Sequence, residues 1–279
     1  MNSRNQGRLR KWLGLAGVYQ RAKASWIYDT YWSVADKQII DERRMEVEFY
    51  RNLLHGFRKG DLIFDVGANQ GYKTGIFLRL GARVVSVEPD QVSQEILQQS
   101  FLKYRLKRKP LVIVPKAVSD RNSIERMWID TRGSAKNTLS QKWVETLRSD
   151  DSRFGQRLSF GQWKDVETVS MEKLITEYGP PFFVKIDVEG HELSVLRGMN
   201  RPVPYLSFEV NLPEFRQEGL ECVQTLGRLA RDGLFNYAAD CCCGLVLKGW
   251  VRTEEFSAAL NSCRDKSIEV FWKTRLSCI

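Results

Sequence analysis

The sequence predicts an α/β fold built on an open, mostly parallel sheet, and three observations carry that prediction. Apolar runs alternate with stretches of helical period from residue 62 to residue 118. That βαβαβ order requires parallel strands joined by right-handed crossovers. Four apolar runs end in an acid, at Asp65, Glu88, Asp187 and Glu209. The first of these acids opens a glycine turn, Asp65-Val66-Gly67-Ala68-Asn69-Gln70-Gly71, that leads straight into a helical stretch. Ligands of open α/β sheets bind outside the carboxyl ends of the strands. Acids at strand tips therefore have a site to serve, whereas the same acids in mid-strand would be buried and unpaired.

Residues 1–24 hold Arg4, Arg8, Arg10, Lys11, Arg21 and Lys23 and no acid. Leu9, Trp12, Leu13 and Ala16 follow helical spacing there, although Gly14 and Gly17 weaken the helix. The segment reads either as a frayed or docked basic tail or as a weak contact for a membrane surface or acidic partner. Trp26, Ile27, Tyr28, Tyr31 and Trp32 then crowd aromatic side chains that more often pack a leading segment than stack on a sugar. Residues 1–40 are thus taken as an N-terminal extension, and residues 41–279 as one domain.

Ile39–Phe57 reads as a helix, with Met45, Phe49 and Leu53 four apart. Strand Leu62–Val66 leads to helix Gly71–Leu80, and strand Val84–Val87 to a helix from Gln91 to Tyr104. Strand Leu111–Val114 continues toward Ala117-Val118-Ser119-Asp120. Residues 121–166 are the least regular part, with a strand at Glu125–Ile129 and a helix at Gln141–Leu147. A long connection over strand tips is either a specificity element or a solvated insertion. Val166–Val169 is a short strand and Met171–Tyr178 a helix, ended by Gly179-Pro180-Pro181. Phe182–Asp187 is an apolar strand carrying one lysine, and Val188-Glu189-Gly190-His191-Glu192 opens a helix running to Met199. Tyr205–Val210 is a buried strand, and Pro213–Asp232 a helix that buries Leu220, Val223, Leu226 and Leu229. Leu234–Ala239 and Ile268–Trp272 read as the final strands.

The 279 residues suffice for one large α/β domain with a sizeable core. Six of the nine net positive charges fall within residues 1–24, and a second basic cluster is formed by Lys103, Arg105, Lys107, Arg108 and Lys109. With charge gathered at one end and one loop, and no basic–aromatic groove, no nucleic-acid partner is expected. The six cysteines, Cys222, Cys241, Cys242, Cys243, Cys263 and Cys278, form no Cys-x-x-Cys pair and no secreted disulfide framework. Cys241–Cys243 read as small apolar residues in a strand. With only His55 and His191 beside them, a zinc site is not expected. No run reaches the roughly 18 apolar residues of a membrane span. The expectation is a cytoplasmic protein, with peripheral membrane contact through the basic N-terminus left open.

The chemistry points to the strand tips. Glycines let backbone approach a ligand closely, and a helix N-terminus adds free N–H groups. Glu88, at motif spacing on the next strand, suits the two ribose hydroxyls of an adenosine. The loop lacks the Gly-x-Gly-x-x-Gly pattern for a pyrophosphate and has an acid at the strand end. That favours the ammonium and sulfonium of S-adenosylmethionine over NAD. Ser119 and Asp120 stand at a strand exit where an adenine edge could be met. Lys185, Asp187 and Glu189 alternate and so point to one side of their strand. Lys185 is placed to pair with Asp187, either ordering a reaction centre or forming a structural ion pair. Glu189, His191 and Glu209 are candidate bases for an alcohol nucleophile. Asp187, Glu189 and Glu209 are also a conceivable Mg²⁺ set, but no metal is assigned.

Phe64-Asp65-Val66-Gly67-Ala68-Asn69-Gln70-Gly71, Val87-Glu88-Pro89, Val184-Lys185-Ile186-Asp187-Val188-Glu189-Gly190-His191-Glu192 and Phe208-Glu209 resemble the FkbM-type S-adenosylmethionine-dependent methyltransferases. The resemblance spans roughly Glu46 to Lys273, excluding most of 131–165. It implies a Rossmann-like class I methyltransferase fold, with a seven-stranded, mostly parallel sheet, helices on both faces and an antiparallel last strand. It implies O-methylation of a sugar or other hydroxylated natural product. By position, Asp65, Gly67, Ala68, Asn69, Gly71 and Glu88 would bind cofactor, and Lys185, Asp187, Glu189 and Glu209 would line the reaction centre. Gln70 stands where the family often has an apolar residue. The competing readings are a non-catalytic S-adenosylmethionine-binding scaffold and an RNA methyltransferase.

Overall fold

The computed structural model of the chain describes residues 37–102, 104, 110–149 and 158–275. The basic segment 1–24, the aromatic cluster Trp26–Trp32, the cluster Lys103, Arg105, Lys107, Arg108 and Lys109, and Cys278 lie outside the described residues.

Helix α1 (Lys37–Leu53) leads into β1 (Leu62–Val66), α2 (Tyr72–Leu80), β2 (Arg83–Val87), α3 (Gln91–Ser100) and β3 (Leu111–Val114). β4 (Ala117–Ser119), β5 (Ser123–Ile129), α4 (Gln141–Ser149) and β6 (Gln162–Ser170) follow. The chain continues through α5 (Met171–Tyr178), β7 (Phe183–Ile186), α6 (Glu192–Arg197), β8 (Tyr205–Asn211) and α7 (Arg216–Leu229). It closes with β9 (Leu234–Ala238), α8 (Thr253–Ser262) and β10 (Ser267–Lys273). Seven strands form one sheet in the order β3-β2-β1-β7-β8-β10-β9. Strands β3 to β8 in that sheet pair in parallel, and β10 runs antiparallel to both neighbours. This is the Rossmann-like class I methyltransferase topology that the sequence implied, including its reversed last strand.

The two sides of the sheet follow from strand alternation. Leu62, Phe64 and Val66 enter one core with Val184, Ile186, Leu206, Phe208 and Trp272, covered by helices α4 to α8. Ile63, Phe183, Tyr205 and Phe271 enter a second core on the other face, under α1 and α2. The remaining residues of that second face form a buried polar row. Register aligns Ser86 with Asp65, Asp65 with Lys185, and Lys185 with Ser207 across four adjacent strands. All four are buried.

The structure departs from the sequence reading in four places. The buried stripe of α1 runs through Glu46, Tyr50 and Leu53, while Met45 is half exposed. Rotating the helix this way gives its polar atoms partners: Tyr50 Oη donates to Glu269 Oε1 at 3.1 Å, and Glu46 pairs with Lys73. The expected run from Leu111 through Ser119 is split. β3 stays in the main sheet, whereas β4 pairs with β6 in a separate three-stranded sheet, β4-β6-β5. β6 extends well before the predicted Val166, because its polar half Gln162–Asp165 pairs with Arg126–Ile129. Arg126 stacks there on Trp163, 3.9 Å from the ring centre, a stabilisation that an apolar-alternation rule does not see. Cys241–Cys243 are not a strand. β9 ends at Ala238, and the cysteines form a 3₁₀ turn whose first free N–H, on Cys242, is capped by Asp240 Oδ1 at 2.8 Å. Among the described residues no helix is long and apolar enough to cross a membrane.

Phe64 lies fully buried at the centre of the sheet. Phe64→Ala is expected to cost about 3–5 kcal/mol in denaturant unfolding; a loss below about 1 kcal/mol would contradict this packing.

Candidate active site

Most of the sequence-selected residues converge where the carboxyl ends of β1, β2, β7 and β8 meet. The loop after β1 is pressed against the tip of β7. Gly67 has φ of 79°, and a Cβ there would collide with the Asp187 carbonyl oxygen. Gly71 also has a positive φ and packs against Leu97 and Phe101 of the following crossover. Asn69 sits in the left-handed region too, which Asn tolerates better than most residues. Gly67, Ala68, Asn69 and Gly71, with Lys185 and Asp187, line a cavity of about 680 Å³. A narrow slot continues from Gly67 and Asn69 along Glu88 and Pro89 to Val118, Met127, Leu139 and His191.

The acids occupy different depths. Asp65 is buried beneath the loop, where Thr74 Oγ1 donates to its Oδ2 at 2.6 Å and also meets Ser86 Oγ at 2.8 Å. Burial raises its pKa, opposed by the Thr74 hydrogen bond and the Lys185 charge. Glu88 accepts Asn69 N–H at Oε2 and Asp90 N–H at Oε1, both at 2.8 Å. Burial pushes its pKa up to about 7 despite these bonds. Each oxygen keeps a second lone pair at the slot. Lys185 Nζ donates to Asp187 Oδ2 at 2.8 Å, the pairing anticipated from their spacing. Burial alone would lower the Lys185 pKa, but Asp187, Glu269 and Asp65 outweigh it and the net shift is upward.

Beyond Asp187, carboxylate oxygens of Asp187, Glu189 and Glu209 lie within 4.8 Å of one another. Like charges that close favour a shared proton or a cation between them. Burial, then the neighbouring Asp187 carboxylate, raises Glu209 to about 7. Glu189 rises well above the usual range through burial, Glu209 and Asp187. Its backbone is left-handed, with φ of 54°, a conformation that costs a non-glycine residue about 1–3 kcal/mol. Four hydrogen bonds hold the turn. Trp143 Nε1 donates to Glu189 Oε2 at 2.9 Å, Thr138 Oγ1 donates to the Glu189 carbonyl at 2.7 Å, and the turn is bracketed by Glu192 Oε1, which accepts Val188 N–H and Gly190 N–H.

His191, Ser119 and Asp120 are placed differently from expectation. His191 Nε2 meets Ser119 Oγ at 3.1 Å and lies 3.8 Å from Glu125 Oε2, so this nitrogen faces the small sheet and away from the carboxylate cluster. Burial lowers its pKa. Ser119 and Asp120 lie outside the walls of the two cavities, although Ala117 and Val118 of the same strand line the slot.

Several site residues escaped the sequence reading. Lys73 on α2 pairs with Glu46 and lies 3.9 Å from Glu269 Oε2. Glu269 is partly buried in β10 and accepts Ser207 Oγ at 2.7 Å. An acid amid the apolar residues of the predicted last strand was the available signal. Residues 130–149 of the connection 121–166, left open as specificity element or insertion, lie over the site. Gln70 Nε2 donates to the Gly133 carbonyl at 3.4 Å and Asn137 Nδ2 to Asp90 Oδ2 at 3.4 Å, and Ser134 and Ala135 line both cavities.

With this geometry in view, comparison with known proteins is decisive for family. The methyltransferase FkbM domain matches residues 65–228, more than half of the chain.

The chain belongs to the FkbM methyltransferase family. It is an enzyme, and its methyl donor is S-adenosylmethionine. The FkbM match begins at Asp65 and ends within α7, so it includes the glycine loop, Glu88, the Lys185–Glu192 block and Glu209. Hexuronic acid methyltransferase AglP of Haloferax volcanii is 27% identical over 187 residues, covering 65% of this chain and 67% of that protein. Among solved structures, a precorrin-6Y C5,15-methyltransferase from Geobacter metallireducens aligns with a TM-score of 0.41 at 8% identity, over 85% of this chain and 88% of that one. The plantazolicin methyltransferase BpumL, in complex with a monoazolic desmethylPZN analogue and S-adenosylhomocysteine, aligns with a TM-score of 0.41 at 9% identity, over 96% and 99%.

Glu88, Glu192 and Glu209 share a consequence. Burial raises Glu88 and Glu209 to about 7 and Glu192 to about 8, above their unfolded values. Stability contributed by their protonated forms is complete below the unfolded pKa and is lost as pH rises through the folded one. Unfolding midpoints of the ligand-free protein are therefore expected to fall between about pH 5 and pH 8, and Glu88→Gln to flatten part of that slope. A slope unchanged in Glu88→Gln would contradict the burial of an ionisable Glu88.

Proposed function

We propose that the chain transfers a methyl group from S-adenosylmethionine to a hydroxyl of a sugar or similar polyhydroxylated acceptor. The observation that carries this reading is the junction at Asp187 and Glu209. Asp187 borders the glycine-loop cavity, and Glu209 borders a second cavity of about 450 Å³ beside it. Their carboxylates lie within 4.8 Å of each other, so two pockets for two reactants meet at a titratable group.

The glycine-loop cavity and the slot that continues from it suit the donor together. Gly67, Asn69 and Gly71 give the cavity a backbone floor, while along the slot Glu88 offers lone pairs for ribose hydroxyls and Met127, Val118 and Leu139 offer apolar contact for an adenine ring. Asp65 and Asp187 supply negative potential near a cationic ligand. When bound, S-adenosylmethionine supplies an electrophilic methyl carbon on a sulfonium. The chain's own task is alignment of the acceptor oxygen about 3 Å from that carbon, and removal of the hydroxyl proton. Lys185 holds Asp187 by its Oδ2 and fixes the tip of β7. Glu209, pushed up to about 7 by burial, is the base that would take the acceptor's hydroxyl proton. Glu189, held by Trp143, shares that proton. The sugar-like acceptor is supported by the curated relative, which is named for a hexuronic acid.

Two variants separate the roles. Glu88→Ala is expected to weaken S-adenosylhomocysteine binding at least tenfold in calorimetric titration. Glu209→Gln is expected to leave that affinity within about threefold while lowering turnover by about 10²–10⁴. The turnover assay follows label from the donor into sugar acceptors. Undiminished turnover in Glu209→Gln would remove it from the reaction.

A further inference from the structure

His191 lines the slot beside Val118 of β4, and among the described residues it is the one aromatic side chain on those walls. Its ring is held from behind. Nε2 meets Ser119 Oγ at 3.1 Å, a pairing that joins the start of α6 to β4 across 72 residues of sequence. The same helix and strand touch again at the far end of α6. A Cβ on Gly198 would lie 2.6 Å from the Ser119 carbonyl oxygen, so only a glycine lets the backbones come this close. Helix and strand are thus pinned at two points, and the imidazole is kept in one orientation. Its Nε2 is engaged with Ser119 and lies 3.8 Å from Glu125 Oε2, so it is not directed at the junction of Asp187 and Glu209. Position along the slot decides what the ring would meet. With the ribose at Glu88, the base must lie farther on, among Val118, Met127, Leu139 and His191. Three of these offer only aliphatic or thioether contact, and the fourth offers an aromatic face.

We propose that His191 is a donor-binding residue whose imidazole packs against the adenine of S-adenosylmethionine, with Ser119 as the positioning residue behind it. The inference rests on the slot as the nucleoside site and names the aromatic partner of the base. It also takes His191 out of the set of candidate bases for the acceptor hydroxyl. Nucleobases stack on aromatic side chains, histidine included, because every base has a π-face. Such a contact is worth about five- to a hundredfold in affinity. Ser119 contributes indirectly, by fixing the plane in which the ring meets the base.

The test is calorimetric titration of the full chain with S-adenosylhomocysteine and with 5′-methylthioadenosine, which keeps the nucleoside and lacks the amino-acid end. His191→Ala is expected to weaken both ligands by the same factor, at least about fivefold. His191→Leu fills the space without an aromatic face and is expected to stay as weak as His191→Ala. His191→Phe restores the face and is expected to recover most of the loss. Ser119→Ala is expected to cost about threefold in the parent and nothing measurable in His191→Phe, whose ring has no nitrogen for Ser119 to hold. Affinities unchanged in His191→Ala, with Glu88→Ala still weakening both ligands, overturn the inference and leave the slot as the nucleoside site. Equal recovery by Leu and Phe also overturns it, since bulk alone would then suffice. A Ser119→Ala loss that persists in His191→Phe overturns the positioning role. Unchanged binding in both Glu88→Ala and His191→Ala overturns the nucleoside reading of the slot and this inference with it.

Discussion

The site depends on one buried cation. Lys185 stands in mid-sheet on β7, 3% exposed, where an unpaired ammonium would cost several kcal/mol. The fold answers with a row of polar groups on one face. Ser86 and Asp65 lie on one side of Lys185 and Ser207 on the other, with Glu269 reaching in from β10 to bond Ser207. Asp187, two residues on, takes the ammonium directly. Burial pushes Glu269 toward the neutral form, but Lys185 and Lys73 outweigh it and hold it below the usual carboxylate range. The charge and its acids are thus mutually required. Because they occupy registered positions on four parallel strands and the reversed β10, the sheet itself sets their geometry.

The loops above this row are tied to one another more than to the core. The glycine loop touches the Asp187 backbone through Gly67 and reaches segment 130–149 through Gln70. That segment reaches the β2 tip through Asn137 and the β7 tip through Thr138 and Trp143. Glu189 sits where these lines cross, in a backbone conformation that its neighbours enforce. Strain held by surrounding bonds fits a group that must keep one orientation, and here it fixes a carboxylate beside Glu209.

Much of this was legible beforehand, for physical reasons. Strand order followed from apolar runs separated by helical periods, and the four strand-tip acids marked the site because such acids have no other reason to sit there. The Lys185–Asp187 pairing followed from the two-residue period of a strand. What escaped detection depends on long-range pairing. β4 looks like a continuation of β3, and only its partner β6, some fifty residues later, shows otherwise. Ser119 and Asp120 fall just beyond the slot that Val118 lines, and His191, although it lines the slot, turns its Nε2 to Ser119. Glu269 and Lys73 lie far apart in sequence, and neither has a motif. Trp143 serves Glu189 through a helix that composition alone left indistinct from a solvated insertion.

The most direct measurement is denaturant unfolding of Lys185→Met beside the unsubstituted chain, at about pH 7.5 and again at about pH 5. A long apolar side chain fills the space but leaves Asp65 and Asp187 without their cation and Glu269 with Lys73 alone. The account expects a loss of about 3–5 kcal/mol at the higher pH, shrinking at the lower one as the buried Asp65 carboxyl takes up a proton. A variant as stable as the parent at pH 7.5 would contradict it, because the polar row would then be holding itself together without the charge on which the site is built.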